Sequence, residues 1–257
     1  MDAVSEADLV IVTDTGSTDG TVKKLRKRGA TVYKAKISPW RFDAARNAAL
    51  GHVPQDADIC VCADLDELFE PGWRQSLEAA WKPEYTRARY LFTRSRTPDG
   101  TPVKQYPIEK IHRRHGFRWF RPVYEFLEYS GTDEDKTVWV DGLSLNYDPD
   151  LSKPPLQALS LLELSVRENP QDDRAMFWLG REYMYRGKDD LCIETLKRHL
   201  ALPSAKWDEE RSASMRYIAR CYERKGDLRE SRLWLFKAIA ECPHVREPYL
   251  ALAGLGY

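Results

Sequence analysis

The sequence predicts an α/β domain with a mostly parallel sheet over residues 1–150, followed by an all-α region of helical repeats over residues 151–257. Three observations carry this prediction. In the first part, apolar runs bounded by turn residues alternate with helical stretches, as strands covered on both faces do. From about Pro154 the β-character ends, and six stretches of helical periodicity follow. Within those six, a pattern of small and aromatic residues recurs, with a 34-residue step from Ala219 to Ala253 that marks stacked helix pairs.

Taken in order, residues 9–13 (LVIVT) form the first apolar run and end in a Gly/Ser/Thr/Asp turn. A Lys/Arg-rich helix over 21–28 is stopped by Gly29. Residues 30–35 read as a second strand, 42–50 as a helix and 58–63 (DICVCA) as a third strand. Further strands are expected over 87–94 and 137–145. The later helices are expected over 156–168, 173–186, 189–200, 209–225, 228–241 and 247–255, separated by Asn-Pro, Gly-Lys-Asp, Leu-Pro, Gly-Asp and Cys-Pro punctuation. Trp178-Leu179-Gly180 with Tyr183 and Gly187 parallels Tyr217-Ile218-Ala219 with Tyr222 and Gly226, and the first interval is lengthened by an insertion around 203–207. This half resembles tetratricopeptide repeats, with Ser231, Leu235, Ala238 and Pro243 on the small, large, small and Pro positions. The resemblance implies antiparallel helix pairs filled by Trp178, Tyr183, Tyr217, Tyr222 and Trp234.

Composition narrows the function classes. Lys+Arg and Asp+Glu both count 40, so no global field favours nucleic acid or an anionic membrane. No apolar run approaches the ~18 residues of a membrane span, and the opening MDAVSEAD lacks a signal-peptide core. The five cysteines are odd in number, lie in apolar patterns and lack a second pair at zinc-ligand spacing. Free thiols, a reducing compartment and hence the cytoplasm are expected. The basic and aromatic run 110–121 is short and lacks any nucleic-acid motif, so its arginines are better used on an anionic donor or acceptor. His52 and His199 read as packing or surface residues.

Two motifs carry chemistry. Asp14-Thr15-Gly16-Ser17-Thr18-Asp19-Gly20-Thr21 follows the first strand directly. Its glycines permit a tight turn at the carboxyl edge of the sheet, where α/β proteins bind ligands. Asp14 can accept a hydrogen bond from a uracil or ribose, and Asp19 or Thr21 can cap the next helix. Asp64-Leu65-Asp66-Glu67 follows the third strand. Two carboxylates at i and i+2 repel unless a cation binds them, and Mg²⁺ or Mn²⁺ takes such carboxylates together with diphosphate oxygens.

With Ala45-Arg46-Asn47-Ala48 between them, these motifs resemble the family 2 glycosyltransferases of GT-A fold, over residues 7–149. The resemblance implies inverting transfer from a nucleotide-diphosphate sugar with Mn²⁺ or Mg²⁺. It places Asp14 on the nucleobase, Arg46 on the diphosphate or a neighbouring carboxylate, Asp64 on ribose or metal, and Asp66 on the metal. Ser17, Asp19 and Asn47 complete the donor-binding set. The stretch from Lys110 to Glu125 resembles a family segment reading K-I-[HR]…G…V-H-E, which makes Glu125 the base, with Tyr124 where the family has His. Residues 145–149 resemble N-H-Y-P with Tyr147 in place of the His; Asp148 stands next to it as a substitute.

The family pattern has a strand before the Asp14 motif, and the start of this chain matches only the tail of the helix after that strand. A shortened domain with an open sheet edge, able to self-associate, is therefore expected, as is a repeat array cut at its C-terminus. The helical repeats are expected to hold a protein, peptide or glycan acceptor. Two competing readings are a nucleotidyltransferase, against which the missing Gly-rich phosphate loop speaks, and a catalytically impaired transferase fold acting as an interaction protein.

Overall fold

The computed structural model describes residues 2–149 and 158–255 and divides into two compact units, Met1–Pro155 and Leu156–Tyr257. The domain boundary expected at residue 150, and the start expected for the first repeat helix at 156, lie outside the described residues.

The first unit opens with a strand–helix–strand segment. Strand β1 (Ile11–Asp14) pairs in parallel with β2 (Thr31–Lys34), and α1 (Thr21–Lys27) connects them. The glycine before α1, Gly20, has φ of 82°, a left-handed conformation open to Gly at little cost. Asp19 accepts hydrogen bonds from the Thr21 amide at 3.1 Å and hydroxyl at 2.6 Å, so it ties down the first turn as its type predicts. Helix α2 (Phe42–His52) packs on β1.

Five further strands form one sheet: β3 (Ile59–Val61), β4 (Glu67–Phe69), β5 (Arg87–Arg96), β6 (Pro102–Arg113) and β9 (Thr137–Tyr147), in the order β3-β6-β5-β9-β4. Helix α3 (Trp73–Ala80) packs against β9, and β7 (Phe117–Phe120) with β8 (Phe126–Tyr129) makes a separate antiparallel ladder. Strand directions are more mixed than apolar runs alone suggest. Parallel pairing is confined to β1–β2 and β5–β9, and the other ladders are antiparallel. Tyr90, Ile111, Leu143 and Leu145 are fully buried and pack with Phe69, Trp73 and Leu77. Each such apolar side chain contributes about 1.5–3 kcal/mol by leaving water.

The second unit is all helical: α4 (Leu159–Glu168), α5 (Asp173–Tyr185), α6 (Asp189–Ala201), α7 (Asp208–Arg224), α8 (Leu228–Glu241) and α9 (Glu247–Gly254). Consecutive helices pack on each other, α5 also touches α7, and α7 touches α9, the neighbour pattern of a stacked repeat. Asp172 and Asp227 cap α5 and α8 by accepting from the amides of Ala175 and Glu230, both at 3.0 Å. Gly180 shows why the repeat wants a small residue: a Cβ there would lie 2.3 Å from Cδ2 of Leu196. Tyr183 is buried, whereas Trp178, Tyr217, Tyr222 and Trp234 are half-buried. His199 is fully buried and paired with the Ser214 hydroxyl at 3.0 Å, and His52 stacks on Tyr33; both are packing residues. Among the described residues the five cysteines are free, and no helix is long and apolar enough to cross a membrane.

Candidate active site

Arg46, on α2, is the hub of the site. Its Nε donates to Glu125 Oε1 at 2.5 Å, and its Nη2 contacts both carboxylate oxygens of Asp64, at 2.8 and 2.9 Å. The guanidinium also lies 4.8 Å from the Trp119 ring, a cation–π geometry. Burial works against its charge, but the two carboxylates outweigh burial and hold its pKa above the ordinary value. Glu125 and Arg46 are 79 residues apart in sequence, so the tertiary fold creates this pair.

Asp64 stands three residues beyond β3, at the start of the turn into β4. Lys110 of β6 bridges Asp64 at 3.0 Å and Glu67 at 2.6 Å, and Glu67 in turn accepts from the Asp64 amide at 2.9 Å. Burial pushes the Asp64 carboxyl up, but Lys110 and Arg46 outweigh it, and its pKa falls to about 2. Because this carboxyl loses its proton more readily folded than unfolded, its stabilising contribution is complete above about pH 4 and is lost as the pH falls towards 2. Acid unfolding followed by circular dichroism should therefore show a steeper loss between those values in the unchanged chain than in Lys110→Met. Equal slopes would show that Lys110 does not hold Asp64 ionised.

Direct contacts join some of the motif residues. Arg46, Asp64 and Glu125 come together, joined by Lys110, Glu67 and Trp119, which the motif reading did not place in the site. The signal available for Lys110 was its place at the start of the segment matched to K-I-[HR]. Asp66 is half-buried on the same turn, and its main-chain oxygen accepts from the Asp148 amide at 2.8 Å, so β4–β9 pairing brings Asp148 beside it. Asn47 has both ends of its amide on the main chain of Trp119, donating at 2.8 Å and accepting at 3.0 Å. That amide pins β7 to α2, which is a different task from the donor contact expected of it. Asp14, at the end of β1, is buried and accepts from the Ser17 amide at 3.1 Å; the Ser17 hydroxyl first, and then this amide, hold its pKa below the ordinary value. Asp14, Ser17 and Asp19 make no hydrogen bond or ion pair to the Arg46 cluster among the described residues.

The loop before Glu125 is conformationally unusual. Arg121 and Tyr124 have φ of 77° and 53°, a region that non-glycine residues seldom occupy. The Phe42 amide donates to Pro122 O at 2.9 Å and fastens this loop to the start of α2. Backbone held in such a region clusters at functional sites. The Glu125 side chain is only 11% exposed, enclosed and bound to Arg46.

Asp64 and Asp66 offer carboxylate oxygens of the kind a hard divalent cation takes. Among the described residues no three His, Cys, Asp or Glu side chains are grouped to hold a metal. Mg²⁺ is commonly held by one or two carboxylates with substrate phosphate oxygens completing its shell, and Asp64 and Asp66 would be those carboxylates here.

No curated protein matches the chain. Among solved structures, the N-terminal domain of stress-induced protein-1 from C. elegans is similar at 11% identity and a TM-score of 0.35, covering 37% of this chain and 76% of that one. A crystal structure of MamA is similar at 17% identity and 0.34, covering 38% and 54%. The type III secretion translocator chaperone SycD of Yersinia enterocolitica is similar at 22% identity and 0.33, covering 38% and 76%. The chain thus spans about half the length of the MamA structure. The profile described as glycosyl transferase family 2 matches residues 5–134, half of the chain, a span that contains the Asp14 turn, Arg46, the Asp64–Glu67 turn and Glu125; the chain belongs to that family.

Proposed function

We propose that the chain transfers a sugar, with inversion, from a nucleotide-diphosphate donor to an acceptor hydroxyl, assisted by Mn²⁺ or Mg²⁺. The observation that carries this reading is the Glu125–Arg46–Asp64–Lys110–Glu67 chain of charges beside Asp66. A divalent ion bound there supplies charge stabilisation for a departing diphosphate. Asp64 and Asp66 would hold that ion, and Asp14 with Ser17 and Asp19 would shape the nucleoside end of the pocket. Arg46, already desolvated, is placed to exchange a carboxylate partner for phosphate oxygens, as guanidinium groups do. Glu125 takes the proton of the attacking hydroxyl once Arg46 has turned to the diphosphate.

The helical unit supports an acceptor-holding role, because Tyr185, Trp207 and Phe236 expose 66%, 56% and 57% of their surface there. The same surface supports the second reading, an impaired transferase fold working as an interaction protein. Free, partly or fully buried thiols favour a cytoplasmic location, with burial pushing Cys60 up to about 11 and Cys62 up to about 12.

Thermal-shift measurement with UDP, GDP, CDP and dTDP, each with and without Mn²⁺, separates these readings. One nucleoside diphosphate should raise the melting temperature in the presence of Mn²⁺, because ligand at a hundred times its Kd stabilises by about 2.7 kcal/mol. No shift with any of the four, in either condition, would sink the transferase reading and leave the interaction protein.

A further inference from the structure

At the end of the five-stranded sheet where Asp66 lies, a row of side chains crosses three neighbouring strands. Glu67 of β4 pairs with Tyr147 of β9, and Asn146 of β9 pairs with Thr93 of β5. Arg94, the next residue of β5, therefore stands level with Tyr147. Asp66 and Asp148 follow directly beyond the Glu67–Tyr147 pair, joined by their main-chain bond of 2.8 Å. The row Glu67, Tyr147, Arg94 thus runs outwards from the acidic turn of the candidate active site.

Arg94 differs from the other arginines of its strand. Arg87 is bound to Glu109 and Asp135, Arg89 to Glu109, and Arg96 to Glu70 and the Asn146 side chain. Arg94 is exposed and forms no ion pair among the described residues. Its guanidinium instead lies 3.7 Å from the centre of the Tyr147 ring, a cation–π contact. A guanidinium stacked in this way spends its face and keeps the five N–H groups that point outwards in its plane. Stacking also restrains the side chain, so less freedom is lost when an anion binds. The result is a cation held in place without a counter-charge.

Aromatic and charged groups connect Arg94 to the site. Tyr106 of β6 and Tyr147 of β9 flank β5, with ring centres 5.4 and 6.5 Å from that of the buried Phe92, and Tyr106 is 38% exposed. Burial raises the pKa of Tyr106, and Arg94, Lys110 and Glu67 all act on it, which puts the four in one electrostatic neighbourhood. Lys110 and Glu67 neutralise each other across 2.6 Å. Arg94 is the member of this group that is left to meet a charge brought from outside.

We propose that Arg94 is a specificity-determining residue for the acceptor, and that it holds a carboxylate or phosphate carried by the acceptor near the hydroxyl to be glycosylated. Two parallel N–H···O bonds from the guanidinium edge fix the orientation of such a group as well as its place. The inference rests on the transferase reading and adds to it the charge of the acceptor.

Magnetic resonance of the arginine Nε–H groups of the full 257-residue chain, in buffer containing Mg²⁺, tests it. The Arg94 signal is identified by its absence from Arg94→Gln. The probes are methyl β-D-glucuronide, methyl β-D-glucoside phosphorylated on its primary hydroxyl, and unmodified methyl β-D-glucoside, which share one ring and differ in charge. At least one anionic probe should shift the Arg94 signal saturably, and comparison of the two tells a carboxylate from a phosphate. The neutral probe should bind at least about tenfold more weakly, the equivalent of one charge-assisted hydrogen bond. Followed on the probe's own signals, binding of the anion to Arg94→Gln should weaken by a similar factor. No saturable shift at Arg94 with either anion, or equal binding of charged and neutral probes, would overturn the proposal. So would a loss of nucleoside-diphosphate binding in Arg94→Gln, which would put Arg94 on the donor. Nucleoside-diphosphate binding to the unchanged chain is measured on the same samples: its absence sinks the transferase reading, whereas its presence without an anion effect at Arg94 sinks this inference alone.

Discussion

Asp66→Ala should abolish Mn²⁺-dependent binding of the nucleoside diphosphate, while Glu125→Gln should leave that binding intact and lower turnover by about 10²–10⁴-fold. Glu125 is bonded to Arg46 and Asp66 is not, and the two are asked for different things. Asp66 is a carboxylate with no ion pair among the described residues, and its work is to hold a cation. The Glu125 carboxylate is held by Arg46 at 2.5 Å, and a glutamine keeps an acceptor there while losing the basicity that proton removal requires. Isothermal titration of the nucleotide with and without Mn²⁺, alongside kcat and KM on a working donor, reads both effects. If Glu125→Gln weakened nucleotide binding as severely as Asp66→Ala, the role of Glu125 would be to position Arg46. Asp148, whose amide is bonded to the Asp66 main chain at 2.8 Å, would then be the next candidate for the base.

The second large effect concerns the helical unit. Leu196→Ala should destabilise it by about 2–5 kcal/mol, because Leu196 is fully buried and its removal leaves a cavity. Gly180→Ala should cost about 1–3 kcal/mol despite the better helix propensity of alanine, since the new Cβ would meet Leu196 Cγ at 2.5 Å and Cδ2 at 2.3 Å. The informative measurement is the double variant. With Leu196 shortened, the Cβ at position 180 occupies vacated space, so Gly180→Ala/Leu196→Ala should lose less stability than the two single losses together. For a unit of this size each kcal/mol corresponds to roughly 4–8 °C in melting temperature, so calorimetry resolves the difference. Strict additivity would show that the close approach of α5 and α6 at Gly180 does not constrain the pair.

Much of the secondary structure was legible. The strands read over residues 9–13, 30–35 and 58–63 overlap β1 and contain β2 and β3. The α5 and α8 helices carry both period and caps, Asp172 and Asp227. The elements that sequence reading passed over have physical reasons for their silence. Strand β6 contains Pro102 and Pro107 among Lys, Gln and Glu, a composition that argues against a strand. It is tolerated because that half pairs with β5 alone, and only Ile111–Arg113 also pairs with β3. Strands β4, β7 and β8 are three or four residues each, too short for alternation to emerge from local sequence.

The same division runs through the site. Sequence by itself determined that an Asp/Gly turn and an acidic pair follow two apolar strands, that a helix carries Arg46 between them, and that the second half is a helical repeat. Each of these is local, set by spacing along one element. Only the tertiary structure decided that Glu125 would reach Arg46 across 79 residues, that Lys110 would bridge Asp64 and Glu67, and that Asn47 would be spent on the Trp119 main chain. These are contacts between elements. A carboxylate's partner depends on which cation the fold delivers within hydrogen-bonding reach, so it is not written in the neighbourhood of the residue itself.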